Sequence, residues 1–307
     1  MELAQITAGQ VVMLFLLMGT GIAAVKTGVL KPEGKQTLSN LLVYLVVPAM
    51  IVNSYRMEFN MEILHNLLAA FGMSLLALLI GTGITLALTA RRKDSRTPIF
   101  RFACIFSNAA YMGFPLISAL FGSEGLLYAS AYVTVFNILL WTVGFGMITG
   151  TVEPKEVVRT VCTNPVLIAV VIGLVIYLCQ IPVPEVIEQP LALIGNMNTP
   201  LSMIITGMMI AGSNLAQMLC DRRILSVMGI RMLLIPAVCF ALFFACGFSG
   251  MAAGVVLLLE ACPSAAITSV FAVQYSYDEE FAAGSVVITT LLSIVILPVC
   301  AMLLPGM

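Results

Sequence analysis

Apolar runs of about twenty residues recur along the whole chain and are separated by short polar stretches. A helix needs about 20 apolar residues to cross the hydrocarbon core of a bilayer, so each run is a candidate transmembrane span. We predict ten spans, numbered from the N-terminus. They cover approximately residues 8–25, 37–55, 64–90, 99–121, 125–149, 164–180, 190–212, 223–245, 250–275 and 281–304. The predicted fold class is therefore an all-α integral membrane protein.

Two of these spans contain residues that interrupt helices. Span 4 contains Ser107-Asn108 and then Gly113-Phe114-Pro115, and span 9 contains Glu260-Ala261-Cys262-Pro263-Ser264. Proline cannot donate to the helix ladder, and free backbone at membrane depth is tolerated only inside protein or along a cavity. The pattern predicts two broken helices whose second halves begin at Pro115 and Pro263. The alternative is that both prolines only kink long helices.

Composition agrees with a polytopic membrane protein. The 307 residues are 61% hydrophobic and 9% charged, which excludes a soluble globular protein. The net charge of −1 gives no basic surface for nucleic acid, so lipid is the expected surrounding partner and nucleic acid is not expected. The eight cysteines are scattered without a C-x-x-C pair, which predicts free thiols and neither a metal site nor a cofactor. The acidic N-terminus predicts a retained first span.

Basic residues predict the orientation. With the N-terminus outside the cell membrane, Arg56 is the one basic residue of the outer loops, and the inner loops hold eleven. The inner set is Lys26, Lys31, Lys35, Arg91, Arg92, Lys93, Arg96, Lys155, Arg159, Arg222 and Arg223. Ten spans return the C-terminus to the outside, so both termini are predicted there, in a multi-pass protein of the inner membrane.

The two halves of the chain match each other. Pro48 in span 2 corresponds to Pro200 in span 7, and Pro115 in span 4 corresponds to Pro263 in span 9. Because each half has an odd number of predicted spans, the second half enters the membrane from the opposite side. The sequence therefore predicts a 5+5 inverted repeat in which broken spans 4 and 9 cross near the midplane.

These motifs resemble the auxin efflux carrier family, which includes the plant PIN carriers and bacterial malate and malonate permeases. The similarity spans the whole chain. It rests on Val46-Val47-Pro48, Ser107-Asn108 to Gly113-Phe114-Pro115, Asn164-Pro165 with Gly173, Pro200 to Gly207, and Ala261-Cys262-Pro263 with Tyr275-Ser276-Tyr277-Asp278. The resemblance implies a fold like the bile acid sodium symporters, a homodimer formed through scaffold helices, and small organic anions as substrates.

The resemblance also implies a division into two domains. A scaffold would comprise residues 1–60 (spans 1 and 2) and 151–215 (spans 6 and 7). A transport domain would comprise residues 61–150 (spans 3 to 5) and 216–307 (spans 8 to 10). The long central loop of some plant carriers is absent here.

Candidate substrate contacts lie at the predicted crossing and beside it on span 7. Free N–H groups at the starts of the second half-helices favour a carboxylate. Asn108 has two interpretations, a substrate contact or a cap for freed backbone, and the same choice applies to Asn198. The candidate substrate-binding residues are Asn108, Gly113, Pro115, Asn198, Cys262, Pro263 and Ser264.

Glu260 and Arg231 are the ionisable residues that these windows place near the bilayer centre. They are either a structural ion pair, or a functional pair in which Glu260 takes up a proton and Arg231 meets the substrate carboxylate. The favoured function is a secondary carrier of a small organic anion with an elevator-type mechanism. The alternatives are a sodium- or proton-coupled symporter or antiporter, and a membrane sensor. An intramembrane enzyme is disfavoured because His65 is the single histidine.

Overall fold

A computed structural model describes residues 2–92, 94–151, 153–213 and 215–304, with the side chains of 2–8 and of Glu156 left aside. The regular secondary structure of the described residues is helical, apart from one isolated bridge between Ser107 and Ser264. Its helices are α1 (Glu2–Lys26), α2 (Gly34–Ser54), α3 (Met61–Thr89), α4 (Thr97–Ile105), α5 (Ala109–Thr149), α6 (Pro154–Thr163), α7 (Pro165–Cys179), α8 (Glu185–Ala211), α9 (Leu215–Cys220), α10 (Arg222–Ala245), α11 (Gly250–Glu260), α12 (Ile267–Gln274) and α13 (Glu279–Met302).

Several of these helices are long and apolar enough to cross a membrane. Among the described residues there are seven, or eight if α6 and α7, which meet at a 55° bend, form one span. The all-helical membrane class is thus confirmed, and the count of ten spans stays a prediction. Helix α5 has 41 residues, so at about 1.5 Å per residue it is roughly twice as long as the hydrocarbon core is thick. It bends at Gly122, whose φ of 60° and ψ of −147° are not helical.

Three prolines inside helices follow wide π-helical turns. Pro48 comes after the π segment Leu42–Val46, Pro115 after Ala109–Gly113, and Pro236 after Ile230–Leu234. A proline ring collides with the carbonyl four residues earlier, and a π turn changes the local ladder to five-residue spacing. The helix therefore continues through each proline. The prediction that a new half-helix begins at Pro115 was wrong, because α5 already begins at Ala109.

Glycines set the closest helix contacts. A Cβ atom on Gly207 of α8 would collide with the carbonyl of Met18 in α1, and one on Gly21 of α1 would collide with the carbonyl of Ile204 in α8. Backbone therefore packs directly on backbone where α1 crosses α8.

A second contact of the same kind joins α7 to α2. A Cβ atom on Gly173 would lie 2.7 Å from the ring of Tyr55. Gly173 and Gly21 are 173 − 21 = 152 residues apart, and Gly207 and Tyr55 are 207 − 55 = 152 residues apart. The two contacts are thus related by one constant offset, which supports the predicted inverted repeat.

Candidate functional site

Two unwound segments cross each other in the interior. Helix α4 ends at Ile105 and α5 begins at Ala109, while α11 ends at Glu260 and α12 begins at Ile267. Between them, the N–H of Asn108 donates to the carbonyl of Pro263 at 2.7 Å, and the N–H of Ala265 donates to the carbonyl of Phe106 at 2.8 Å. The breaks in spans 4 and 9 therefore satisfy part of each other's backbone.

The position of the first break differs from the prediction. The interruption in span 4 lies at residues 106–108, before Gly113 and Pro115, and Asn108 lies in the gap rather than on the first half-helix. Pro263 does lie in the second gap, although α12 begins four residues later, at Ile267.

Arg231 of α10 binds the ends of both first half-helices. Its Nη1 donates to the carbonyl of Ile105 at 3.0 Å and, more weakly, to that of Cys104 at 3.4 Å. Its Nε donates to the carbonyl of Cys262 at 3.1 Å, and its Nη2 donates to the carbonyl of Glu260. The carbonyls of Cys104, Ile105 and Glu260 lie in the last turns of α4 and α11, and that of Cys262 follows two residues later, so the guanidinium caps the negative ends of both helices together.

Glu260 neutralises this arginine. Its Oε1 lies 2.9 Å from Arg231 Nη1, and both side chains are fully buried. The predicted pairing of the two residues is confirmed. Because the donors of Arg231 already face protein oxygens, this arrangement does not offer the guanidinium to a substrate.

Tyr132 of α5 completes the cluster and was missed by the sequence analysis. Its hydroxyl donates to Glu260 Oε2 at 2.6 Å and lies 2.9 Å from the Oγ of Ser107. A tyrosine hydroxyl has one hydrogen, so Ser107 donates to Tyr132. A tyrosine within an apolar helix gives no sequence signal that separates this role from ordinary packing.

The positive ends of the second half-helices remain without protein acceptors. Within the described part of the chain, the backbone N–H groups of Ala109, Ala110, Ala266 and Ile267 make no hydrogen bond. The buried Nδ2 of Asn108 has no acceptor either. Arg231 has neutralised the negative ends, so unpaired donors and partial positive charge dominate at the crossing, and these favour an anion.

The other predicted contacts near the crossing already have protein partners. A Cβ atom on Gly113 would collide with Leu259 and lie 3.4 Å from the Sγ of Cys262, so this glycine allows α5 to approach α11. Ser264 donates from Oγ to the carbonyl of Ala103 at 2.8 Å, and its N–H donates to Thr289 Oγ1 at 3.1 Å. Substrate contact by these residues, and by Pro115 and Pro263, stays a prediction.

Asn198 lies in a separate place. It begins the segment Asn198–Ala211 of α8 and lines a cavity of about 160 Å³, together with Asn53, Ser118 and Asn196. Asn108 does not line this cavity. The structure therefore does not bring the two asparagines into one pocket.

A polytopic helical protein with two crossed, interrupted helices around a buried site belongs to the class of membrane transporters. Comparison of sequences agrees. The profile of the family described as membrane transport protein matches residues 6–160 and 152–301. The chain belongs to this family, and its resemblance to the auxin efflux carriers is confirmed.

Two relatives are similar over nearly their whole length. An uncharacterized transporter of Methanothermobacter thermautotrophicus is 26% identical over 285 residues, which is 90% of this chain and 91% of the relative. An uncharacterized transporter of Methanocaldococcus jannaschii is 24% identical over 300 residues, covering 94% and 95% of the two chains.

Proposed function

We propose that this protein is a secondary carrier of a small organic anion, with its substrate site at the crossing of α4–α5 and α11–α12. In this proposal the chain crosses the inner membrane ten times as a 5+5 inverted repeat with both termini outside. Helix α5 then contributes to two spans, the second half of span 4 before Gly122 and the whole of span 5 after it. The segments α6–α7 and α11–α12 each count as one broken span, and α4 joins the first part of α5 as another.

The proposal rests on an imbalance of hydrogen-bonding groups at the crossing: the acceptors are paired, and several donors are not. The carbonyl ends of α4 and α11 are bound by Arg231, whereas the N–H groups at Ala109 and Ala110 and the Nδ2 of Asn108 have no acceptor in the described chain. A cation would need oxygen ligands, and those oxygens are occupied. A carboxylate would accept from several of the free donors at once.

Alternating access by an elevator-type motion requires contacts between the proposed scaffold and transport domains to exchange. Several hydrogen bonds join them in this conformation, and two of these link distant parts of the chain through side chains. The hydroxyl of Tyr55 lies 2.7 Å from the Oγ of Ser130, and Asn164 Nδ2 donates to Asn137 Oδ1 at 3.1 Å. Polar contacts of this size contribute about 1 kcal/mol each, so they order a resting state without preventing motion. A homodimer through the scaffold helices would hold that domain still.

Proton coupling is a second candidate property, favoured by the hydrogen-bonded chain from Ser107 through Tyr132 to Glu260. This chain leads from the crossing to a buried carboxylate. A proton-linked carrier would use such a route, whereas a uniporter would need the cluster only for structure.

Counterflow in proteoliposomes tests the proposed function. The purified protein should exchange radiolabelled small carboxylates, and Asn108→Leu should reduce exchange by about tenfold or more because a buried donor for the substrate is lost. Asn40→Leu is the matched control, since Asn40 is exposed and pairs with Gln36 away from the crossing. Unchanged exchange in Asn108→Leu would place the site elsewhere, and binding without counterflow would identify a sensor.

A further inference from the structure

Helix α8 is interrupted where it faces a polar cavity. Its first part ends at Asn196, Met197 forms a turn, and its second part runs from Asn198 to Ala211. The first two residues of this second part are Asn198 and Thr199. Both residues line the cavity of about 160 Å³. The first turn of this 14-residue helical segment thus faces a polar space.

The side chain of Asn198 gives independent support for a ligand in this space. Asn198 is only 2% exposed, yet among the described residues neither its Oδ1 nor its Nδ2 has a hydrogen-bond partner. Leaving a buried amide unpaired is unfavourable, so the position favours a ligand that supplies one donor and one acceptor side by side.

The other groups around the cavity are neutral. Its polar side chains come from asparagine, serine and threonine, including Asn53, Ser118 and Ser123. Arg56 lies near Asn53 and donates to it at 2.9 Å, but its charge is paired with Glu188 at 2.5 Å. An anion would thus be bound by N–H and hydroxyl dipoles alone, which suits weak, reversible binding during transport.

We propose that this cavity is a second binding station for the transported anion and that it selects small 2-hydroxycarboxylates. The carboxylate of the ligand accepts from Asn198 Nδ2 and from serine hydroxyls of the cavity such as that of Ser118, and the 2-hydroxyl donates to Asn198 Oδ1. The cavity is smaller than the roughly 300 Å³ at which pockets for drug-sized ligands begin, which limits the ligand to a few heavy atoms. This inference rests on the proposed function for the identity of the ligand as the transported anion.

The cavity also lies between the two proposed domains. Asn53, Ser54 and Asn198 belong to the scaffold ranges, whereas Ser118 and Ser123 belong to the transport ranges on either side of the Gly122 bend. A ligand held there contacts both domains, at the predicted outer ends of α2 and of the first part of α5. The station is thus placed to pass the anion between the outside and the crossing.

Binding of L-lactate and propionate to the purified full chain in detergent tests the inference, because the two acids differ by the 2-hydroxyl group. The parent protein should bind lactate about tenfold more tightly than propionate, as expected for one added buried hydrogen bond. Asn198→Leu should remove this preference. Asn198→Asp, which has the same size but carries a negative charge, should weaken binding of both acids. Size-exclusion profiles establish that each variant is folded.

The outcomes separate this inference from the proposed function. A parent without lactate preference, a preference that survives Asn198→Leu, or an Asn198→Asp variant that binds both acids like the parent would each overturn it. Asn108→Leu tested in the same assay should keep the preference at Asn198 while counterflow falls. Loss of the preference in Asn108→Leu alone would assign the selectivity to the crossing and overturn the second station, although the proposed carrier would stand.

Discussion

Arg231 and Glu260 form a fully buried ion pair, 2.9 Å between Nη1 and Oε1, that joins α10 to the end of α11. The two partners are not equivalent. Glu260 compensates one charge, whereas Arg231 also satisfies carbonyls at the ends of two half-helices, those of Ile105 and Cys262 among them. The arginine is therefore a structural centre of the crossing rather than a spare positive group for the substrate.

The first prediction follows from this asymmetry. Glu260→Gln and Arg231→Met should both lower thermal stability, because breaking a buried pair costs about 3–5 kcal/mol. Arg231→Met should lower it further, since each carbonyl left unpaired adds about 1–3 kcal/mol. Scanning fluorimetry in detergent measures the two midpoints. Equal midpoints, or a larger loss in Glu260→Gln, would show that the helix ends do not depend on the arginine.

The sequence predicted the crossing and its ion pair because few residue types can cause either. Ionisable side chains are costly inside a membrane, so Arg231 and Glu260 in neighbouring apolar runs predicted each other as partners. The positions of proline and glycine predicted less accurately where the helix of span 4 is interrupted. Pro115 is accommodated by the π turn Ala109–Gly113, and the chain unwinds at 106–108 instead.

What the sequence did not reveal depends on tertiary contact. The unwinding at 106–108 is stabilised by pairing with Pro263 and Ala265, residues more than 150 positions away along the chain. Tyr132 likewise gains its role from Glu260, 128 positions away. Neither contact can be predicted from the local helix propensity of the sequence. Asn198 was predicted as a flank of the crossing, and only the packing of α2, α5 and α8 shows that it lines another cavity.

The second prediction concerns the contact between α1 and α8. Gly21→Ala should destabilise the protein by about 1–3 kcal/mol, because its new methyl group meets the rigid backbone of Ile204. Gly19→Ala is the matched control two residues away, where nothing lies within 4 Å of the added carbon. It should be neutral or slightly stabilising, as alanine favours helix more than glycine does. Similar melting curves for the two variants would contradict the close contact.

The third prediction tests the division of α5 into two spans. In a background without native cysteines, Ser123→Cys beside the Gly122 bend should react with a membrane-impermeant maleimide from outside intact cells. Cysteines at Ser95 and Thr151 should react only after the cytoplasmic face is exposed. The reason is that 41 residues of helix exceed one crossing, so the bend must reach a membrane surface. Labelling of Ser123→Cys from the cytoplasmic side would contradict both the ten spans and the inverted repeat.

The fourth prediction concerns the hydrogen-bonded chain from Ser107 through Tyr132 to Glu260. Tyr132→Phe removes both hydrogen bonds of the central hydroxyl, and Ser107→Ala removes only the bond nearest the crossing. If these hydrogen bonds conduct a proton between the crossing and Glu260, breaking the connection at either residue stops proton transfer. We therefore expect anion uptake to lose its dependence on external pH in both variants and in Glu260→Gln, while exchange of substrate continues.

Tyr44→Phe is the control for this series, because Tyr44 is 67% exposed and belongs to α2, away from the cluster. Uptake into proteoliposomes at several external pH values, with the internal pH fixed, measures the effect. A purely structural role gives a different pattern. Tyr132→Phe would then lower stability by about 1–3 kcal/mol through the bond lost to Glu260, and Ser107→Ala would keep the pH profile of the parent. That result would show that the cluster only stabilises the crossing, and an uncoupled uniporter would be the better description of the carrier.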